Sequence, residues 1–114
     1  MVGFLNEYLL KRHFHDHGHE FGAQTKEAYL AMAKTFLELD LTANPHILEC
    51  KQRKNGDVIR FNPRTDEFAI ITSTGRIKTY FKPVPSRLAP FGTPLYLTHT
   101  FQNNMSYFRY KCRQ

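Results

Sequence analysis

The spacing of hydrophobic positions changes once along the chain, near Pro45. Before it, Phe4, Leu5, Tyr8, Leu9 and Arg12 recur at intervals of three and four, the stripe of an amphipathic helix of about three turns. Gly18 and Gly22 then bracket the stretch His17-Gly18-His19-Glu20-Phe21-Gly22, with Gly18 a natural C-cap for that helix. Thr25 predicts an N-cap, Glu27 suits a first turn, and Tyr29, Met32, Ala33, Phe36 and Leu37 mark one buried face of a second helix. That helix should stop near Asp40, because Asn44-Pro45 cannot continue it.

Beyond Pro45 the pattern becomes short apolar runs separated by turn signals. Ile47 to Lys51 reads as a strand, Asn55-Gly56 as a tight turn and Val58 to Phe61 as the partner strand. The turn Asn62-Pro63-Arg64-Thr65 leads into Phe68 to Thr72, and Thr74-Gly75 leads into Ile77 to Phe81. A four-stranded antiparallel meander follows, with one face packed on the two helices. Residues 83 to 94 contain Pro83, Pro85, Pro90 and Pro94 and predict a connection without regular structure. In the aromatic tail, Phe108, Tyr110 and Cys112 alternate with Tyr107, Arg109 and Lys111, which predicts a last short strand. The expectation is an α+β fold, with two N-terminal helices on a small antiparallel sheet of four to five strands, as one domain over residues 1–114.

Composition narrows the function classes. Hydrophobic residues at 41% and charged residues at 23% are ordinary globular usage, so a disordered chain is excluded. No apolar run approaches the roughly 18 residues of a membrane span, which excludes a self-contained helical membrane protein. Met1 to Glu7 lacks the charged-then-apolar plan of a secretory signal. Cys50 and Cys112 have no CxxC spacing for zinc; a single bridge is open to them, but small apolar filler is the better reading. Sixteen Lys+Arg against ten Asp+Glu leave a net charge of +6, which calls for an acidic partner: nucleic acid, an anionic membrane surface or an acidic protein.

Candidate chemistry concentrates in two places. Four histidines lie within His13-Phe14-His15-Asp16-His17-Gly18-His19. On a continuing helix His13 and His17 share a face, as do His15 and His19, but the stretch has no HExxH and no further separate ligands, so no metal site is expected. His17 falls at the negative end of the first helix, where the dipole favours the imidazolium, and a loop histidine there suits proton transfer. The second place is the sheet, which carries Arg53, Arg60, Arg76, Lys78 and Lys82. Strict alternation puts Arg76, Lys78 and Tyr80 on one side of the last strand and Ile77, Thr79 and Phe81 on the other. Cations interleaved with tyrosines suit backbone phosphates and unpaired bases. The E-x-K of Glu49-Cys50-Lys51 lacks the preceding strand aspartate of a metal-dependent nuclease, and no GxSxG is present.

Taken in order, these residues resemble a known group. The series runs His13-Phe14-x-x-His17-Gly18-x-Glu20-Phe21-Gly22, then Thr25, Tyr29, Ala33 and Phe36, then Arg53 and Gly56-Asp57. It continues through Asn62-Pro63-x-Thr65-x-Glu67-Phe68 and Gly75-x-Ile77-x-Thr79-Tyr80-Phe81-Lys82-Pro83 to Tyr107-Phe108. It is similar to the C-terminal ribonuclease toxin domains of contact-dependent growth inhibition effectors and related polymorphic toxins. Two positions depart from that pattern: Asp16 stands where the family usually has lysine, and Asp66 where asparagine is common.

The resemblance implies a barnase, EndoU, colicin D and RelE type of fold. It also implies a metal-independent endoribonuclease without cofactor that cleaves RNA, often tRNA, by transesterification. With the two clusters above, the candidate catalytic residues are His17, Thr79, His13 and Arg53, and the candidate substrate-binding residues are Arg60, Arg76, Lys78, Tyr80 and Lys82. The implied partner is a cognate immunity protein, acidic in charge, on a toxin that acts as a monomer or as a 1:1 complex with it and binds no membrane. Such a domain is secreted within a larger effector and delivered to the target-cell cytoplasm. The alternative from another class is a non-catalytic basic module that binds RNA or protein.

Overall fold

A computed structural model describes residues 3–83 and 104–114. In chain order these form β1 (Gly3–Phe4), α1 (Glu7–His17), a 3-10 turn (Gly18–Phe21), α2 (Lys26–Glu38), β2 (Leu48–Lys51), β3 (Val58–Asn62), β4 (Glu67–Ile71), β5 (Arg76–Phe81) and α3 (Asn104–Cys112). The helix starts follow from side-chain caps. Asn6 accepts the Leu9 N–H at 2.8 Å, and Thr25 accepts the Ala28 N–H at 3.1 Å, each satisfying an amide that the first turn leaves unpaired.

The sheet order is β1-β5-β4-β3-β2. The antiparallel meander β2 to β5 is the expected one, and β1 adds a short strand parallel to β5, pairing Gly3 with Arg76 and Phe4 with Ile77. Phe4 therefore does not open the first helix, because the chain ahead of the Asn6 cap is extended. The inward side of α1 is Leu10, supported by Leu9 and Phe14, while Tyr8 is 67% exposed. On α2 the expected face holds at Tyr29, Ala33, Phe36 and Leu37, with Met32 at its exposed margin.

Gly18 is the C-cap of α1, as expected, but not in the left-handed conformation common for a glycine there. Its backbone is helical, and the chain continues into the 3-10 turn that Gly22 ends at φ +69°. Gly18 is needed for space, since a Cβ there would fall 2.6 Å from the Phe14 ring. Asp66 has φ +64° in the β3–β4 turn, a left-handed conformation that aspartate and asparagine adopt more readily than other non-glycine residues.

Both sheet faces are covered. One packs on α1 and α2 around Tyr29, Phe36, Ile77 and Tyr80; the other carries Ile59, Phe61 and Phe68 under Tyr107 and Phe108. The expected last strand is thus a helix, α3. Met105, Phe108 and Cys112 pack on the sheet at intervals of three and four, the spacing of one helix face rather than of a strand. Cys50 and Cys112 are not filler thiols; they form a disulfide that ties β2 to α3. The proline-rich segment 84–94 lies outside the described residues. Among the described residues no helix is long and apolar enough to cross a membrane.

Candidate active site

β5 builds the site because its pairing is irregular. Ile71 pairs with Ile77 and Ile70 with Thr79, so Lys78 is an extra residue and β5 bulges there. Strict alternation fails at that point: Ile77 and Tyr80, three residues apart, both enter the core beneath the helices. Thr79 and Phe81 are delivered to the other side, where Phe81 packs on Phe68 and Tyr107. β1 reaches only as far as Ile77, so the edge of β5 beyond it is left to the last turns of α1.

Two histidines come to that edge. His13 Nδ1 lies 3.3 Å from Thr79 Oγ1. One turn later, the His17 ring stands 5.8 Å from the His13 ring and 5.1 Å from Phe81, centroid to centroid. His17 Nδ1 is 2.8 Å from Glu20 Oε2, and Glu20 Oε1 accepts the backbone N–H of Lys82 at 2.7 Å. Both side chains are largely sheltered, His17 at 27% and Glu20 at 20% exposure. An ionised carboxylate only accepts, so this contact puts a proton on His17 Nδ1 and leaves Nε2 as the working nitrogen. Burial, and then the neighbouring His17, hold His13 below the usual histidine range, outweighing the opposite pull of Asp16. The Asp16 carboxylate itself turns to Arg12 and His15, each at 3.2 Å.

The cations divide. Lys82 sits near the histidines with its ammonium 5.3 Å from the centre of the Phe21 ring, a cation–π contact. Lys78 reaches Asp57 at 2.7 Å and stays 40% exposed. Burial, and then the ammonium groups of Lys54 and Lys78, push Lys111 below the ordinary lysine value, against the opposite pull of Asp57. Arg76 is exposed at the start of β5.

Three expected site residues are placed elsewhere. Arg60 is buried, held by Glu49 at 2.7 and 2.8 Å and by the carbonyls of Phe36 and Leu39 at 2.9 and 3.0 Å; it closes the C-terminal end of α2 and offers nothing to a substrate. Glu49, half of the E-x-K pattern, is spent on the same ion pair. Tyr80 is 0% exposed, with its ring stacked on Phe21 at 4.2 Å and its hydroxyl donated to Glu67 at 2.5 Å, so no base can stack on it. Arg53 is exposed in the turn after β2, the connection whose Asp57 reaches Lys78, and among the described residues no hydrogen bond joins it to His13, His17 or Thr79. Glu20 is the residue that sequence reasoning missed. Its signal was a carboxylate three residues after His17 inside a glycine-bracketed turn.

No family model matches the chain, and no curated protein matches it either. Among solved structures it is similar to a ribonuclease from Escherichia coli complexed with its inhibitor protein. That likeness covers 79% of this chain and 96% of the other, at 21% identity and a TM-score of 0.52. It shows a shared α+β fold.

Proposed function

We propose that the chain is a ribonuclease toxin domain that cleaves RNA, tRNA being the favoured class, by metal-independent transesterification. The observation that carries the reading is the meeting of His13, His17 and Thr79 at the edge of β5, with Glu20 behind His17. The fold shared with a ribonuclease and the net charge of +6 support it.

The two histidines sit in different environments and take different roles. His13 is kept neutral by burial and by its neighbour, which suits a base that accepts the ribose 2′-hydroxyl proton. The 2′-oxygen attacks the adjacent phosphorus and the bond to the 5′-oxygen breaks. An imidazolium at His17, paired with Glu20, gives its Nε2 proton to that leaving oxygen. The products are a cyclic phosphate and a free 5′-hydroxyl. Thr79 orients the phosphate by hydrogen bonding, while Lys78 and Lys82 offset the negative charge that develops on it. The exposed Arg76 contributes to backbone binding at longer range.

The biological setting belongs to the same proposal. The domain travels within a larger secreted effector, acts in the target-cell cytoplasm, and is neutralised by an acidic immunity protein that covers the basic surface. The structural neighbour, a ribonuclease complexed with its inhibitor protein, is in keeping with such a pair.

The test is incubation of the purified protein with total bacterial RNA, with and without EDTA, beside His17→Ala. Discrete fragments that persist in EDTA and fall about 10²–10⁴-fold in rate in the variant are expected. Cleavage abolished by EDTA, or undiminished in the variant, overturns the mechanism. RNA retention with steep salt dependence and no cleavage returns the chain to a binding module.

A further inference from the structure

Glu20 is a doubly bonded carboxylate at the β5 edge, and the sequence motif that contains it assigns it no role. Each of its carboxylate oxygens has its own partner: Oε1 takes the Lys82 N–H at 2.7 Å, and Oε2 takes His17 Nδ1 at 2.8 Å. The two partners come from different parts of the chain. His17 ends α1, whereas Lys82 follows β5, three residues after Thr79. Phe21, next to Glu20, is fixed by its stack on the fully buried Tyr80 at 4.2 Å, and the Lys82 ammonium lies over the other partner of that stack, the Phe21 ring. The 3-10 turn therefore cannot shift without disturbing the core.

We infer that Glu20 is the positioning residue of the site, locking neutral His17 as its Nδ1–H tautomer and tying the imidazole to the strand end that presents Thr79. A backbone N–H can only donate, so the oxygen facing Lys82 must accept. A carboxylate has a second accepting oxygen for His17, and that fixes where the imidazole proton resides. The catalytic half of this inference rests on the ribonuclease reading; the tautomer does not. When His17 gives up a proton, only the one on Nε2 leads outward to substrate, because Nδ1 is covered by Glu20. In the other tautomer the remaining proton would sit on Nε2 and the free nitrogen would face a buried wall, so the proton could not be regained from the Nδ1 side. The carboxylate makes one proton position productive on every turnover.

Glu20→Gln tests this with almost no change of shape. An amide has one accepting oxygen. If that oxygen stays on the Lys82 N–H, the NH₂ group meets His17 Nδ1, which must then become an acceptor. Nitrogen-15 correlation spectra of the imidazole at alkaline pH, with His17→Ala to assign its signals, read the tautomer without any RNA. The wild-type ring should be the Nδ1–H form and the Glu20→Gln ring chiefly the Nε2–H form. With RNA, kcat should fall about 10²–10⁴-fold at unchanged KM. In Glu20→Ala, added formate should restore part of the rate by occupying the vacated carboxylate position.

Matched backbone amide spectra for the variant and wild type establish that the fold is retained, and Glu20→Ala replaces Glu20→Gln if it is not. An unchanged His17 tautomer in a folded variant overturns the inference, as does a loss confined to KM. A tautomer change in a protein whose wild type cleaves no RNA upholds the positioning role and overturns the ribonuclease reading instead.

Discussion

The two faces of the sheet are closed by different means. Under α1 and α2 the large side chains are fully buried and their polar ends are tied into the fold: the Tyr29 hydroxyl donates to the Tyr80 carbonyl, Tyr80 donates to Glu67, and Arg60 joins Glu49 to the end of α2. Burial pushes the hydroxyls of Tyr29 and Tyr80 well above the ordinary tyrosine value. The opposite face is covered by the nine residues of α3. It relies on ring contacts, Phe61 with Phe108 at 5.7 Å and Phe68 with Tyr107 at 5.0 Å, on Gln52 donating to the Lys111 carbonyl at 3.0 Å, and on the disulfide. A helix of that length is too short to persist alone, so its place depends on anchors. The candidate site lies at the edge where the faces meet, drawing His13 and His17 from one and Thr79 and Phe81 from the other.

The largest effect should come from damage to the helix-covered face. Tyr80→Ala removes a fully buried ring and the hydroxyl that donates to Glu67, and should cost about 3–5 kcal/mol in urea unfolding. Opening the disulfide by Cys50→Ser with Cys112→Ser should cost less, about 2–4 kcal/mol, although it releases a bridge spanning 62 residues of sequence. Hydrogen exchange should show the difference in kind. Loss of the bridge should free amides of α3 while those of α2 stay protected, whereas Tyr80→Ala should lower protection throughout. Equal loss of protection in α2 and α3 on removing the bridge would mean that the faces do not behave as separable layers.

The same contrast governs what could be read from sequence. The helix-side face rests on local signals: Thr25 as a cap, the spacing of Tyr29, Ala33, Phe36 and Leu37, and turn residues at Asn55-Gly56 and Thr74-Gly75. The meander and the α+β class were legible for that reason. α3 was misread because alternation over six residues fits a strand, and the three-and-four spacing of Met105, Phe108 and Cys112 becomes clear only with a sheet beneath it. The bulge was invisible, since nothing in Arg76 to Phe81 marks Lys78 as extra, and alternation placed Tyr80 with the phosphate-facing residues. Arg60 looked like a binding residue because its charge is local information, while Glu49 opposite it and the carbonyls of α2 are tertiary facts. His13, His17 and Thr79 were legible as individuals; the carboxylate that joins them to the end of β5 was not.

The smallest effect should be a pH dependence at the seam between the faces. His13 has a folded pKa below its ordinary 6.5, caused first by burial and then by His17, with Arg12 acting in the same direction and Asp16 against it. Between the folded and unfolded values the unfolded chain binds more protons, so stability rises with pH. The contribution is complete above about pH 6.5 and is lost as pH falls through the folded value. His13→Gln keeps a polar partner for Thr79 but cannot titrate, and should flatten this part of the stability profile measured by urea unfolding between pH 5 and pH 7.5. If His13 also accepts the 2′-hydroxyl proton, the acid limb of kcat/KM should fall below pH 6.5 and disappear in the same variant along with most activity. A stability slope that survives His13→Gln would move the titration to another group and remove the reason for assigning the base role to His13.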